Sequence, residues 1–431
     1  MRLPALLAVF MLVTAAVAFG DLQGVFVPDL DHPAIQYTTR PLKDRVSELN
    51  RRIQTGEVQL KFDGGQGYLR SVLGVLSVPI ESQMIVFSKT SIQMLRIDPR
   101  NPRSLFFNDS VTVGWVPGGP IVELAAEDPS QGVIFFTLDQ KPVERPQLVR
   151  RDSCLECHLS YSSLGVPGML VRSVFPAPDG TPIRKLGDYI TDDRSPFDQR
   201  WGGWYVTGRS GSIRHMGNAI VTDAAKPEHM ISDQTLNLKS LKGKFDTDAY
   251  LSPSSDIVAL MVFEHQMHMV NLFTRVGWEV RFAQYQERTD KAPGSHDLTE
   301  GLLRDTAREL VDYMLFVDEA PLSDKIHGSS GFAEIFSAQG PRDSKGRSLH
   351  QFNLERRLMR YPCSYMIYSE AFDGMPDQAI EAAYKQMWRI LSGEEHGNKY
   401  SKLSLVDRQA IVEILRDTKK GLPEYFQPVT H

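Results

Sequence analysis

Residues Val111–Leu138 read VTVGWVPGGPIVELAAEDPSQGVIFFTL. Runs of β-branched, aromatic and aliphatic residues alternate with PGGP and DPSQG, clusters that favour turns because glycine reaches positive φ and proline fixes φ near −65°. Short extended runs joined in this way read as neighbouring antiparallel strands. The texture continues upstream, where LRSVLGVLSV, MIVFS and SLFFN are punctuated by DPRNP and NDS. From about Val58 to Leu138 the spacing therefore predicts an antiparallel β meander or sandwich. Ahead of it, PLKDRVSELNRRIQTG places Leu42, Val46, Leu49 and Ile53 on one face of a short helix that ends at Gly56.

Beyond Leu148 the pattern changes. A glycine- and proline-rich stretch runs to about Ser255, and loops of that density tend to wrap a ligand or carry function. Helical periodicity then dominates. DIVALMVFEHQMHMVNLFTRVG is capped by Ser255 or Asp256 and is expected to stop near Gly277. LTEGLLRDTARELVDYMLFV, PDQAIEAAYKQMWRILSG and LSLVDRQAIVEILRDTKKG follow as further helices. The expected fold class is α+β: a β-rich region with its short helix over residues 19–148, then a loop-rich and mainly helical region over 149–431.

A chain of 431 residues with 42% hydrophobic and 23% charged content is globular in composition and long enough for two or three domains. Its formal net charge of −5 offers no basic surface for a phosphate backbone, so nucleic acid is not an expected partner. The first residues, MRLPALLAVFMLVTAAVAFG, carry Arg2, an apolar stretch from Leu3 to Val13 and the small-residue sequence Ala16-Val17-Ala18. That is the layout of a secretory signal, residues 1–18, cut after Ala18, with an uncleaved anchor as the competing reading. No later stretch has the ~18 apolar residues of a span, so the processed chain is expected to lack one and to be periplasmic or otherwise exported.

Two of the chain's three cysteines lie in RRDSCLECHLS, residues 150–160. Cys154, Cys157 and His158 form C-x-x-C-H, the attachment signature of c-type haem. Each thiol adds across one haem vinyl group to give a thioether, and the following histidine falls under the iron as proximal ligand. Covalent attachment takes place outside the cytoplasm, which agrees with the export signal. Two readings compete: a redox disulfide, which normally opens a helix in a βαβ unit that is not recognisable here, and half a zinc site, whose second ligand pair is missing. Cys363, in RYPCSYMIY, then reads as a small buried apolar residue.

The motif resembles c-type cytochromes in general. NDSVTVGWVPGG, RWGGWYVTG, RHMGN and RYPCSYMIYSEAF are similar to a group of large exported bacterial proteins with one cytochrome c motif. The resemblance implies one covalent haem c on Cys154, Cys157 and His158 and implies nothing further about activity. The chain is several times larger than small soluble cytochromes c, which weighs against a plain electron shuttle.

The iron's sixth ligand decides between electron transfer and small-molecule chemistry. Small cytochromes of the resembled type place a methionine some tens of residues after the haem histidine, a distance at which His215 and Met216 lie in GSIRHMGN. His265 and His268, on one face of an otherwise apolar helix, are the second candidates, and Met169 is a third. Arg200, Arg209 and Arg214 are candidate partners of the haem propionates, and Trp201, Trp204 and Tyr205 candidate covers of the haem edge. Haem could lie between the β-rich and helical regions. The expected function is single-electron transfer with a redox protein or small molecule. The alternatives are a peroxidase-like haem oxidoreductase with an open sixth position and a haem-containing sensor or binding protein.

Overall fold

The computed structural model describes residues 29–289 and 295–429, so the expected signal segment lies outside the described residues. Nine strands occur among them: β1 (Met84–Val86), β2 (Arg103–Phe107), β3 (Val111–Trp115), β4 (Ile121–Asp128), β5 (Gly132–Asp139), β6 (Leu148–Arg150), β7 (Val171–Val174), β8 (Asp188–Thr191) and β9 (Trp204–Tyr205). Seven make one antiparallel sheet in the order β6-β5-β4-β3-β2-β1-β9, while β7 and β8 form a separate ribbon. The expected meander is present as β1–β6, in a single sheet rather than a sandwich. The chain is α+β, with the sheet in the N-terminal half and helices in the C-terminal half.

One upstream run differs from the expectation. LRSVLGV is helix α2 (Leu69–Val75), following α1 (Arg45–Gln54). Leu69, Val72 and Leu73 bury one face at i, i+3 and i+4, and this 3.6-residue period outweighs an aliphatic content that reads as strand.

Side chains alternate across a strand, so each strand feeds two cores. Val122, Leu124 and Ala126 of β4 pack with Ile134 and Phe136 of β5 against Val46, Leu49 and Ile53 of α1 and Leu69 and Val72 of α2. Ala125 and Phe135 face the other way, into a core shared with α4 (Ile257–Thr289). Helix α4 buries nearly every side chain from Ile257 to Val280, the polar Glu264, His265, Gln266 and Asn271 included, and these find hydrogen-bond partners in the interior. Asp256 starts it, accepting the N–H groups of Val258 at 2.8 Å and Ala259 at 3.2 Å. The expected stop at Gly277 does not occur. A Cβ there would lie 2.9 Å from Nη1 of Arg281, so this glycine makes room for a side chain within a continuous helix. Helices α3 (Leu155–His158), α5 (Ser295–Met314), α6 (Phe332–Gln339), α7 (Glu370–Asp373), α8 (Asp377–Ser392) and α9 (Leu405–Thr418) complete the described set.

The boundary expected at 148/149 falls inside β6, and β9, from the later region, pairs with β1 through Ile85–Tyr205 and Val86–Trp204. The two regions therefore share one sheet, because α4 covers a sheet face that the N-terminal residues leave open.

Gly132 sits where turn, loop and helix meet. Asp128 shapes the β4–β5 turn by accepting from the N–H groups of Ser130 and Gln131, and Gly132 closes it at φ +85°. A Cβ at Gly132 would stand 2.6 Å from Thr274 of α4 and 2.9 Å from the carbonyl of Pro167. Gly132→Ala should therefore lower the free energy of unfolding by about 1–3 kcal/mol, through strain and overpacking together, as read from the urea midpoint at unchanged m-value.

Candidate functional site

After β6 the chain turns back over the sheet. The N–H of Arg151 donates to the carbonyl of Phe135, and Nε of Arg151 donates to Oγ1 of Thr137, so the motif begins anchored to β5. The turn Asp152–Cys154 leads into α3, which carries Cys157 and His158. The loop that follows folds back on His158. Leu164 and Gly165 turn it in the left-handed region, at φ 59° and 75°. The N–H of Gly168 donates to the carbonyl of His158 at 2.9 Å, while the carbonyl of Gly168 meets Nδ1 of His158 at 2.9 Å. A carbonyl oxygen only accepts, so Nδ1 carries the proton and Nε2 keeps its lone pair. Burial pushes the His158 pKa down and favours the neutral ring, which packs against Phe135 with centroids 4.7 Å apart. Asn271 of α4 holds both the N–H and the carbonyl of Met169, and a Cβ on Gly168 would collide with its amide oxygen at 2.1 Å.

Cys154, Cys157 and His158 together line a cavity of about 640 Å³. Its floor is the α4-facing side of the sheet, with Leu105, Gly114, Glu123, Ala125, Phe135 and Thr137. Phe263 of α4, Trp204 of β9, Arg172 and Ile190 of the β7–β8 ribbon, and the segment from Lys89 to Met94 supply the walls. Most of the lining is apolar, and the pair formed by Nη1 of Arg103 and Glu123, 2.7 Å apart, interrupts it. Burial opposes ionisation of Glu123, but Arg103, Ser91 and Gln93 outweigh it and hold the carboxyl below its usual range. Nε of Arg103 is buried without a hydrogen-bond partner.

The three cysteines are free thiols: Cys154 half-buried, Cys157 exposed and Cys363 buried, the last as expected. Burial raises the Cys154 pKa to about 11, opposite to the depressed value that makes a C-x-x-C pair redox-active. Among the described residues no group of three or more His, Cys, Asp or Glu side chains is placed to hold a metal ion.

Five other sequence-derived candidates, Arg200, Arg214, His215, Met216 and His265, lie elsewhere, and each already has partners. Arg200 is buried, with Nη1 3.0 Å from Glu264 and its other donors on the carbonyls of Asp193 and Ser195. Arg214 donates to the carbonyl of Ile231 on the surface. His215 packs edge-on against Trp201, and its Nδ1 accepts the N–H of Gly217. Met216 accepts a hydrogen bond from Ser173 inside a small cluster with Ala219, Val221 and Met230. His265 stacks on Tyr313 and Phe316 and bonds Ser364 through Nε2 at 2.8 Å. None of the five lines the cavity, whereas Trp204 and Met169 do. Asp193, His265 and Ser364 stand in the order of a hydrolytic triad, but they are at most 3% exposed, so no substrate carbonyl can reach Ser364.

The residues missed in sequence, Lys89, Met94, Arg103 and Glu123, come from the β region. Glu123 carried a readable signal: in IVELAA it falls on the same strand face as Ala125, which the alternation assigns to the interior.

Burial pushes the His215 pKa down to about 3 from its ordinary 6.5. A depressed folded pKa gives stability that is present above 6.5 and lost as pH falls toward 3. Glu127, Glu264 and Glu319 are raised by burial, to about 8, 7 and 8, and act in the opposite sense. The effect of His215 is therefore read as a difference. The stability gap between wild type and His215→Asn should shrink from pH 6 to pH 4.5 by up to ~1.4 kcal/mol per pH unit in urea titrations. In comparisons with known proteins, no family model, curated protein or solved structure matches this chain.

Proposed function

We propose that this chain is an exported monohaem c-type cytochrome that carries single electrons, with its haem in the cavity between the sheet, α4 and the Cys154–His158 turn. One observation carries the reading. Cys154, Cys157 and His158 all line one mainly apolar cavity, and the bond from Nδ1 to the Gly168 carbonyl leaves Nε2 of His158 unprotonated, the tautomer that ligates iron. Cys154 and Cys157 would hold the haem through thioethers to its two vinyl groups, each S–H adding across one C=C, and His158 would ligate its iron. Once bound, haem supplies one-electron chemistry at iron.

The cavity's chemistry matches an apolar disc with two carboxylates. Leu105, Ala125, Phe135, Trp204 and Phe263 suit its body. Arg103, whose Nε is unpartnered although its Nη1 pairs with Glu123, suits its propionates in place of Arg200 and Arg214, while Lys89 and Arg172 in the same lining are paired with Asp179 and Asp188. Exposed Cys157 brings the attachment edge to the surface, where a redox protein or small molecule can exchange electrons. Among the described residues no helix is long and apolar enough to cross a membrane.

Protein exported alongside haem-maturation machinery should keep haem through acid-acetone extraction and give a c-type absorption spectrum. Cys157→Ala should leave one thioether and shift the reduced α-band to longer wavelength, and His158→Ala should lose the low-spin spectrum. A wild-type chain without covalent haem, or a Cys157→Ala variant indistinguishable from it, would sink the proposal.

A further inference from the structure

A second cavity, of about 730 Å³, shares no lining residue with the one beside the Cys154–His158 turn. It is a groove between α4 and α5, met by the loop that follows β8. The helices run antiparallel along it. The hydroxyl of Tyr313 donates to the carbonyl of His265 at 3.5 Å, and Nη1 of Arg275 stands 3.7 Å from Glu309. Asp193 marks one end, its Oδ1 3.4 Å from Nδ1 of His265, and Glu279 marks the other. Fourteen residues of α4 separate His265 from Glu279, about 21 Å of rise, so the groove is long and narrow.

Its lining is acidic: Asp193, Glu279, Asp305, Glu309, Asp312 and Asp318 against Arg194, Arg275 and Arg308. The three cations do not settle that balance. Arg194 is held by Asp192, outside the lining, and Nε of Arg275 takes only Oε1 of Glu279, at 2.9 Å. Asp312 is satisfied by Lys399 and by the hydroxyl of Tyr400. By contrast, Oε2 of Glu279 and Oδ2 of Asp193 are buried and accept no hydrogen bond, on residues at most 9% exposed. A buried carboxylate oxygen without a donor is costly. Burial, with Glu309 beside it, raises the Glu279 pKa against the pull of Arg275, the mark of a charge short of compensation. On α5, Asp305 and Glu309 add like charges at i, i+4, a pair that opposes the helix unless a cation lies between them.

What the groove lacks is positive charge carrying several donors. A metal ion is a poor match, because among the described residues no three His, Cys, Asp or Glu side chains are grouped to hold one. A string of ammonium groups matches acids spread along 20 Å or so of helix, with methylene spacers lying against Leu302 and Val317. We propose that the α4–α5 groove binds a linear polyamine, whose ammonium groups pair with Asp193, Glu279 and the Asp305–Glu309 edge.

The test is calorimetric titration of the full chain with spermidine at low ionic strength, where screening is weakest. Spermidine should bind once per chain and saturate, and an equal concentration of magnesium should leave it bound. Glu279→Gln removes the charge while keeping the shape, and should weaken binding at least tenfold. Asp305 and Glu309 are exposed, so Asp305→Asn/Glu309→Gln should keep the wild-type circular dichroism spectrum and also weaken binding at least tenfold, even if Glu279→Gln folds poorly. Glu334→Gln/Glu355→Gln removes two exposed acids outside the groove and should bind as wild type does. The proposal is overturned if spermidine shows no saturable binding, if magnesium displaces it at equal concentration, if either folded groove variant keeps wild-type affinity, or if Glu334→Gln/Glu355→Gln weakens binding as much as the α5 variant. Covalent haem, present or absent, leaves these outcomes unchanged, since the two cavities have no residue in common.

Discussion

A sheet that is apolar on both faces has to be covered twice, and this chain meets that requirement unequally. The N-terminal helices α1 and α2 close one face, while α4, from much later in the sequence, closes part of the other. What α4 leaves open becomes the cavity, floored by β2 to β5 and walled by the Cys154–His158 turn, the β7–β8 ribbon and the β1–β2 connection. The site is thus a product of incomplete coverage. Its floor is pre-formed by strands whose register is pinned from Ser104–Trp115 to Leu138–Leu148.

The local elements that read correctly are those whose signal is short-range. Turn chemistry gave the meander, because PGGP and DPSQG fix where strands reverse, and the Asp256 cap marked the start of α4. One error came where a tertiary contact overrides a local rule: Gly277 reads as a stop but lies in the interior of α4.

The C-x-x-C-H spelling is legible in the sequence because it is contained within five residues. Its surroundings are not. His215, Met216, His265 and Arg200 were attractive because histidine, methionine and arginine in a loop-rich or apolar setting need a partner, and each has found one in the protein. The residues that do share the cavity with His158 lie from about seventy positions before it to about a hundred after it, brought into range by strand pairing and by the packing of α4 on the sheet. Glu123 shows the physical difference. A charge on an inward strand face is costly unless paired, and its partners Arg103, Ser91 and Gln93 bind the cavity floor to the surface segment above it.

That arrangement makes a haem within this cavity the central claim, and a crystal structure of the matured holoprotein tests it most directly. The predicted result is porphyrin density filling the space between Cys154, Cys157, His158 and the β2–β5 face, with Nε2 of His158 on the iron and Nδ1 still bonded to Gly168. Porphyrin lying outside that space, or His158 turned away from the iron with the Gly168 contact broken, would contradict it.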